Sequence, residues 1–142
     1  MTKPKSPSAL EVVQLSCRVL EDKKAADITV LDVEEQSSIT DYLVIATATS
    51  EPHLRALRIE LEKVFDGAGV RLVGIEAEQA SGWVVIDAFD VMVHLFFANS
   101  REHFGLERLW RDASEVPVSK VLAPKRAPAK KPRAPKRIRR AK

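Results

Sequence analysis

Cysteine, glycine and long apolar runs are scarce in this 142-residue chain. The single cysteine, Cys17, excludes an internal disulfide, and its position on the apolar side of a helical pattern is typical of a small core residue. The five glycines complete neither Gly-x-Gly-x-x-Gly nor Gly-x-x-x-x-Gly-Lys. No apolar run approaches the roughly 18 residues of a membrane span, and the polar N-terminus lacks the apolar region of a signal peptide. These absences predict a soluble cytoplasmic protein with no membrane partner.

Residue clusters typical of catalysis or metal binding are also missing. The three histidines, His53, His94 and His103, show no metal-ligand spacing with one another or with Cys17. Serine and histidine both occur, but no stretch resembles the nucleophile elbow of a hydrolase. The sequence therefore predicts no metal, no cofactor and no catalytic residue.

The net charge of +3 combines an acidic body with a basic end. Residues 116–142 hold eleven of the 23 cations and no acid, which leaves twelve cations against 20 acids, a formal charge of −8, in residues 1–115. An acidic body favours basic partners. The Pro/Ala/Lys/Arg composition of residues 116–142 predicts a disordered tail.

Hydrophobic periodicity indicates an α/β domain over residues 9–115, preceded by a flexible segment at residues 1–8. Ser8 and Glu11 form a capping-box pattern at the start of the first helix. The order α-β-β-α-β-β-β-α predicts a mixed sheet of about five strands packed with three helices in two or three layers. The predicted elements include a first helix at Ala9–Lys23, a first strand within Ala25–Val33, a second from Tyr42, a helix ending near Asp66, a third strand at Val70–Ile75, and a last helix at Arg101–Asp112 capped by Ser100.

Residues Ser81–His94 predict a hairpin whose two sides differ in chemistry. A turn at Ala88–Phe89 would pair Asp87 with Asp90 and Trp83 with His94. One side of the hairpin is then aliphatic and suits a core. The other side combines residues that are unusual together on a surface, namely Trp83, Val85, Asp87, Asp90, Met92 and His94.

Asp87 and Asp90 allow three interpretations. The two carboxylates could bind a catalytic metal ion, or they could simply be turn residues, since aspartate favours turns. They could also be docking residues, because the cations of a partner would relieve the repulsion between two directly opposed carboxylates. Trp83 lies off the aliphatic side, and Trp and Met are enriched at protein interfaces. The residues therefore favour docking over chemistry.

The basic tail permits contact with nucleic acid. Cations on a flexible chain bind phosphates without sequence preference, and a solubilising extension is the alternative. The cations considered for contact with ribosomal RNA are Lys130, Lys131, Arg133, Lys136, Arg137, Arg139 and Arg140.

Taken in order, several fragments resemble the ribosomal silencing factor family (RsfS, or Iojap-like). They are Ser37-Ser-Ile-Thr-Asp-Tyr-Leu-Val-Ile-Ala-Thr-Ala-Thr-Ser, His53, Glu76, Trp83-Val-Val-Ile-Asp, Asp90-Val-Met-Val-His, Ser100-Arg and Leu106-Glu-Arg-Leu-Trp110. The resemblance covers about residues 9–112, and the basic tail lies outside it.

The resemblance implies a nucleotidyltransferase-like topology without the catalytic carboxylates. It also implies a non-enzymatic factor that binds the large ribosomal subunit through large-subunit ribosomal protein fourteen. Such binding would block association with the small subunit and repress translation under nutrient limitation. The interface positions carried over are Trp83, Asp87, Asp90 and His94, then Glu76, Met92, Ser100 and Arg101. The oligomeric state is left open between monomer and homodimer.

The chain departs from the family pattern at three places. Ala48, Ala77 and Phe89 stand where glycine is common in the family. Because glycine tolerates a positive φ and phenylalanine does not, either the turn is of a different type or Phe89 is strained. Two alternative functions follow from the residues: a metal-dependent nucleotidyltransferase-like enzyme using Asp87 and Asp90, and a general RNA-binding protein acting through the tail.

Overall fold

The computed structural model describes residues 7–78 and 82–122, which form one mixed sheet with helices on both sides. The elements in this part of the chain are α1 (Ala9–Asp22), β1 (Ala26–Asp32), β2 (Tyr42–Ala48), α2 (Glu51–Gly67), β3 (Gly74–Glu78), β4 (Trp83–Asp87), β5 (Val91–Phe97), α3 (Ala98–Phe104), α4 (Leu106–Leu109), β6 (Ser114–Val116) and α5 (Val118–Val121). The predicted mixed α/β class is confirmed. The predicted order of the first eight elements is also confirmed.

The sheet has the strand order β3-β4-β5-β2-β1-β6. Strands β2 and β5 are parallel neighbours, and every other pair in the sheet is antiparallel. Strand β2 lies in the middle of the sheet, and six of its seven residues are buried, so both of its faces are covered, as its nearly continuous apolar sequence predicts. Strand β3 lies at one edge and β6 at the other.

The first side of the sheet packs against α1, α2 and α5. Ser8 caps α1 through the predicted capping box, so residue 8 belongs to the folded domain rather than to a flexible segment. The side chains at the centre of this core are fully buried and mostly aliphatic, and include Val13, Leu57, Leu61 and Phe65. Cys17 lies in the same core, where burial raises the pKa of its thiol to about 12. The predicted structural role of Cys17 is therefore confirmed.

The second side of the sheet packs against α3 and α4 through a separate apolar cluster. Alternate strand residues such as Leu43, Ile45 and Phe96 meet Leu106 there. The predicted single helix Arg101–Asp112 is wrong, because Gly105 takes a left-handed φ of +58° and ends α3. Helix α3 begins three residues earlier than predicted, and Ser100 is not its cap.

The C-terminal boundary predicted at residue 116 is wrong. Strand β6 pairs with β1, placing Val116 opposite Val30. Helix α5 follows, and Val121 is 5% exposed within the first core. The described domain therefore continues to Leu122, because a few valines in a Pro/Lys-rich stretch find a sheet edge and a core to pack on. Residues 1–6 and 123–142, which include the predicted RNA-contacting cations, lie outside the described residues.

Candidate partner-binding face

The hairpin formed by β4 and β5 has a register two residues away from the predicted one. Asp87 pairs with Met92 and Trp83 pairs with Phe96. The predicted pairs Asp87–Asp90 and Trp83–His94 are wrong because the turn is longer than two residues. The backbone N–H of Ala88 donates to the carbonyl of Val91 at 2.9 Å and closes this longer turn.

The slip in register leaves the predicted division between the two sides intact, because an even shift keeps every side chain on its side. Val84 and Ile86 are buried in the first core. Trp83, Val85, Asp87 and Met92 lie on the second side and are only partly buried. The sequence pattern therefore gave the correct side for each residue within β4 and β5 from an incorrect register, whereas Asp90, which was predicted on the same side, lies in the turn.

Strand β3 adds Glu76 to the same surface. The predicted third strand at Val70–Ile75 is displaced toward the C-terminus, so Glu76 lies within β3 and pairs with Val85. Directly paired residues of antiparallel strands project on the same side of a sheet. Glu76 is exposed. We call this surface the open face, and it consists of Glu76, Trp83, Val85, Asp87 and Met92.

Trp83 is held at the rim of the open face by an aromatic cluster. Its ring centroid lies 4.4 Å from that of Phe104 and 5.1 Å from that of Phe96. Its indole Nε1–H donates to Nδ1 of His94 at 3.1 Å. Because packing and a hydrogen bond both fix the ring, Trp83 offers a rigid apolar surface of the kind that anchors interfaces.

His94 lies beneath Trp83 rather than on the surface. It is 6% exposed, and burial lowers the pKa of its imidazole to about 4. A neutral ring is also the form that can accept the Trp83 N–H at Nδ1. His94 was predicted as a partner contact, but because it is buried we assign it the role of supporting Trp83 from below.

The two aspartates lie in different surroundings. Asp87 is on the open face, and its Oδ1 accepts the backbone N–H of Phe89 at 2.9 Å. Asp90 belongs to the turn, where its backbone carbonyl accepts the N–H groups of Asp41 and Tyr42 at 2.8 and 3.1 Å. The Asp90 side chain lines a groove near α1 instead of the open face. The structure therefore does not bring the two carboxylates together as a directly opposed pair.

Phe89 adopts a φ of +72°, and its side chain is 65% exposed. The N–H of Asp90 donates to the carbonyl of Ala88 at 2.9 Å across it, which is the hydrogen bond of a γ-turn. A bulky residue at this φ is strained by about 1–3 kcal/mol. The sequence left two possibilities open, a different type of turn or a strained Phe89, and the structure contains both.

Ser100 and Arg101 are half-buried and lie against other parts of the domain. A Cβ added to Gly82 would lie 2.7 Å from Oγ of Ser100, so this hydroxyl abuts the start of β4. The guanidinium of Arg101 donates to both carboxylate oxygens of Glu107 at 3.0 and 2.9 Å. It also donates to the carbonyl of Asp27 at 2.7 Å and to Thr47 Oγ1 at 2.8 Å.

The bidentate pair has a consequence for Glu107. The hydrogen bonds from Arg101 hold the pKa of the Glu107 carboxyl below its ordinary value. With its side chain only 11% exposed, Arg101 ties α3 and α4 to the sheet. We therefore assign it a structural role next to its predicted contact role.

Residues 7–78 and 82–122 contain no group of three or more His, Cys, Asp or Glu side chains that could hold a metal ion. Nor does this part of the chain contain a helix long and apolar enough to cross a membrane.

Sequence comparison connects this geometry to known proteins. The family described as "Ribosomal silencing factor during starvation" (RsfS) matches residues 6–142. The ribosomal silencing factor RsfS of Halalkalibacterium halodurans is 34% identical over 113 residues, covering 80% of this chain and 97% of that protein. The chain belongs to the ribosomal silencing factor family. The family resemblance recognised in the sequence is therefore confirmed.

Relatives and solved structures extend the comparison. The ribosomal silencing factor RsfS of Bacillus subtilis is 32% identical, and the match covers 72% of this chain and 86% of the Bacillus subtilis protein. The mouse protein named "Mitochondrial assembly of ribosomal large subunit protein 1" is 33% identical, but the match covers only 44% of it. A crystal structure of a protein from Chromobacterium violaceum has a TM-score of 0.71 at 32% identity and covers 74% of this chain and 88% of its own.

Sequence reasoning missed two residues of the open-face region. Val85 was assigned to the correct side but was not counted as a contact, because an isolated valine carries no functional signal. Phe104 was not singled out as a contact by any sequence motif. Its tilted ring contact with Trp83 lies just before the break at Gly105, which the helical periodicity of the sequence conceals.

Proposed function

We propose that this chain binds the large ribosomal subunit through large-subunit ribosomal protein fourteen and prevents the small subunit from joining. The mechanism is steric and needs no catalysis, since the bound domain occupies the surface where the small subunit would dock. Translation is thereby repressed when nutrients are limiting. The observation that carries the proposal is the open face, where a rigid Trp83 stands among half-buried apolar side chains and acids.

The open face has the chemistry for a basic protein partner. Trp83, Val85 and Met92 supply apolar surface, and Trp is one of the residue types enriched among the interface residues that dominate affinity. Glu76 and Asp87 flank that apolar surface. Their charges, together with the acidic body of the chain, would accelerate encounter with a basic surface and set its orientation.

Trp83→Ala tests the proposal. We expect large-subunit binding to weaken by about 2 kcal/mol or more, roughly thirtyfold, in a sedimentation assay. Inhibition of subunit reassociation in vitro should fall in parallel. Trp110→Ala is the matched control because it removes the other tryptophan, which lies outside the open face. Equal binding by the parent and Trp83→Ala would refute the proposal.

The acids of the open face give a second test. Glu76→Gln combined with Asp87→Asn should slow association and reduce its salt dependence, while changing dissociation less. Glu115→Gln is the control, since Glu115 is an exposed acid at the opposite edge of the sheet.

The role of the basic tail requires a deletion that begins at residue 123, because residues 116–122 are part of the domain. If the tail only adds contact with ribosomal RNA, the truncated chain still binds large subunits with a smaller salt dependence. Complete loss of binding would favour the tail over the open face.

A further inference from the structure

The chain itself contains a segment whose chemistry matches the open face. Residues 123–142 follow the last described residue, Leu122, and hold ten cations, four prolines and no acid. Proline-rich segments dock on surfaces lined by aromatic rings, and their cations pair with acids beside those rings. The open face offers an aromatic ring and acids within one surface.

The side chains of the open face are accessible to such a ligand. Trp83 is partly exposed, and Phe104 and His94 hold its ring in place. Glu76 is exposed and Asp87 is partly exposed. Among the described residues, neither carboxylate takes part in an ion pair. The open face therefore combines a fixed aromatic ring with two acids that can accept cations.

Residues 123–142 are long enough to reach the open face from the end of α5. Helix α5 packs against β1 on the first side of the sheet. Strand β1 is three positions from β4 in the strand order. Three positions correspond to about 14 Å, and packed layers lie about 10 Å apart. Because twenty residues span up to about 66–72 Å, a path round the sheet to its second side is within reach.

Charge alone does not select the open face, because acids also lie close together near the edge formed by β1 and β6. Asp32, Glu34 and Glu35 line a small polar pocket there. The negative charge of Asp32 raises the pKa of the Glu34 carboxyl. The four prolines favour the open face over this pocket, since proline-rich segments dock on aromatic surfaces and the open face presents the indole of Trp83.

We propose that residues 123–142 occupy the open face of their own chain in the free protein and leave it when a basic partner binds. Prolines of the segment contact Trp83, and its cations pair with Glu76 and Asp87. Because the segment is tethered, its local concentration at the open face is on the order of millimolar. The segment thereby competes with weakly matched basic proteins. Regulation of large-subunit binding in this way rests on the proposed function, whereas the contact itself does not.

A spin label on the segment tests the contact in the full-length chain. Ala134→Cys provides a thiol for a nitroxide label, whereas Cys17 is fully buried, and its thiol, with a pKa raised to about 12, stays unlabelled. The chain has two tryptophans, so their indole N–H signals in a proton–nitrogen NMR spectrum report on the open face at Trp83 and outside it at Trp110. We expect the Trp83 signal to lose at least half of its intensity and the Trp110 signal to lose less.

Two controls locate the contact. Broadening centred on Asp32 and Glu34, or a Trp83 signal broadened no more than that of Trp110, would overturn the proposal. A mixture of isotope-labelled chain without the nitroxide and nitroxide-labelled chain without the isotope should show no broadening. Broadening of Trp83 in that mixture would also overturn the proposal, because the contact would then join two chains.

The acids of the open face supply matched variants. Glu76→Gln combined with Asp87→Asn should restore most of the Trp83 signal in the spin-labelled chain, because the cations of the segment lose their partners. Glu115→Gln removes an exposed acid at the opposite edge of the sheet and should leave the broadening unchanged. A double variant with a Trp83 signal as broad as that of the parent would contradict the pairing.

Competition is measured with isolated large-subunit ribosomal protein fourteen. Changing the four prolines of residues 123–142 to alanine keeps the charge of the chain, so long-range attraction to a basic protein is unchanged. We expect this variant to bind protein fourteen at least about threefold more tightly than the parent. Equal affinity would overturn the competition. If neither chain binds protein fourteen while the Trp83 signal is still broadened, the proposed function fails and the contact stands.

Discussion

The two sides of the sheet use alternate residues of the same strands but pack in different ways. On the first side, long helices α1 and α2 bury an aliphatic core whose centre is fully enclosed. On the second side, short helices α3 and α4 cover a smaller cluster, and the outer strands remain partly open around Trp83. The comparison shows that burial is more complete on the first side, whereas the second side leaves Trp83 and its neighbours partly exposed.

Phe65→Ala should give the largest effect on stability and would sharpen this contrast. Phe65 is fully buried in the first core, and loss of its ring leaves a cavity. We expect the free energy of unfolding to fall by about 3–5 kcal/mol, measured by urea denaturation followed by circular dichroism. Met92→Ala on the open face is the control and should cost about 1 kcal/mol. Similar losses for the two variants would contradict the contrast between the sides.

The pH dependence contributed by His94 should be the next largest effect. Burial lowers the pKa of His94 to about 4 from an ordinary 6.5, so the unfolded chain binds more protons than the folded chain between these values. Above pH 6.5 His94 is neutral in both the folded and the unfolded chain and does not lower the free energy of unfolding. As the pH falls toward 4, protonation of the unfolded chain lowers the free energy of unfolding by as much as about 3 kcal/mol.

His94→Gln isolates this contribution. Its amide can still accept the Trp83 N–H, but it has no proton to gain in this range. The parent should therefore lose stability relative to the variant as the pH falls from 6.5 to 4. Parallel stability curves would show that His94 is not held neutral by burial.

Arg101→Met should have a smaller effect and would test what holds α3 and α4 on the second side. The variant loses the bidentate pair with Glu107 and the bonds to Asp27 and Thr47. Because Glu107 is 43% exposed, we expect a cost of only about 1–3 kcal/mol.

The pKa of Glu107 is lowered by Arg101, so the stability from this pair is present above the ordinary pKa of glutamate. It is lost as the pH falls through the lowered pKa of the folded state. Arg55→Met is the control, because the surface pair between Arg55 and Glu51 at 3.7 Å should contribute only a few tenths of a kcal/mol. If the Arg101 variant were as stable as the Arg55 variant, Arg101 would not be what holds α3 and α4 on the sheet.

Much of the fold was predictable because periodicity and capping are local properties. The capping box at Ser8 and the central position of β2 followed from short stretches of sequence and were confirmed. One missed element depends on a distant partner, and one misplaced boundary depends on a single residue. Strand β6 exists because β1 offers it an edge, and the break between α3 and α4 follows from one glycine inside an otherwise helical pattern.

The candidate site was also predictable only in part. Alternation along β4 and β5 was sufficient to place Trp83, Asp87 and Met92 on one side. It could not show that His94 is buried beneath Trp83 or that Arg101 is engaged by the domain itself. Those outcomes depend on which side chains α3 and α4 bring above the sheet.

By itself the sequence determined the α/β class, the family and the side of the hairpin on which each residue of β4 and β5 lies. These properties depend on the two-residue repeat of a strand and on local motifs, and a register slip of two residues leaves them unchanged. Only the tertiary structure decided that Glu76 joins Trp83 and Asp87 on one open face, while Asp90 and Phe89 line a separate groove. The reason is physical: strand pairing and turn length determine which residues become neighbours, and both depend on contacts between distant parts of the chain.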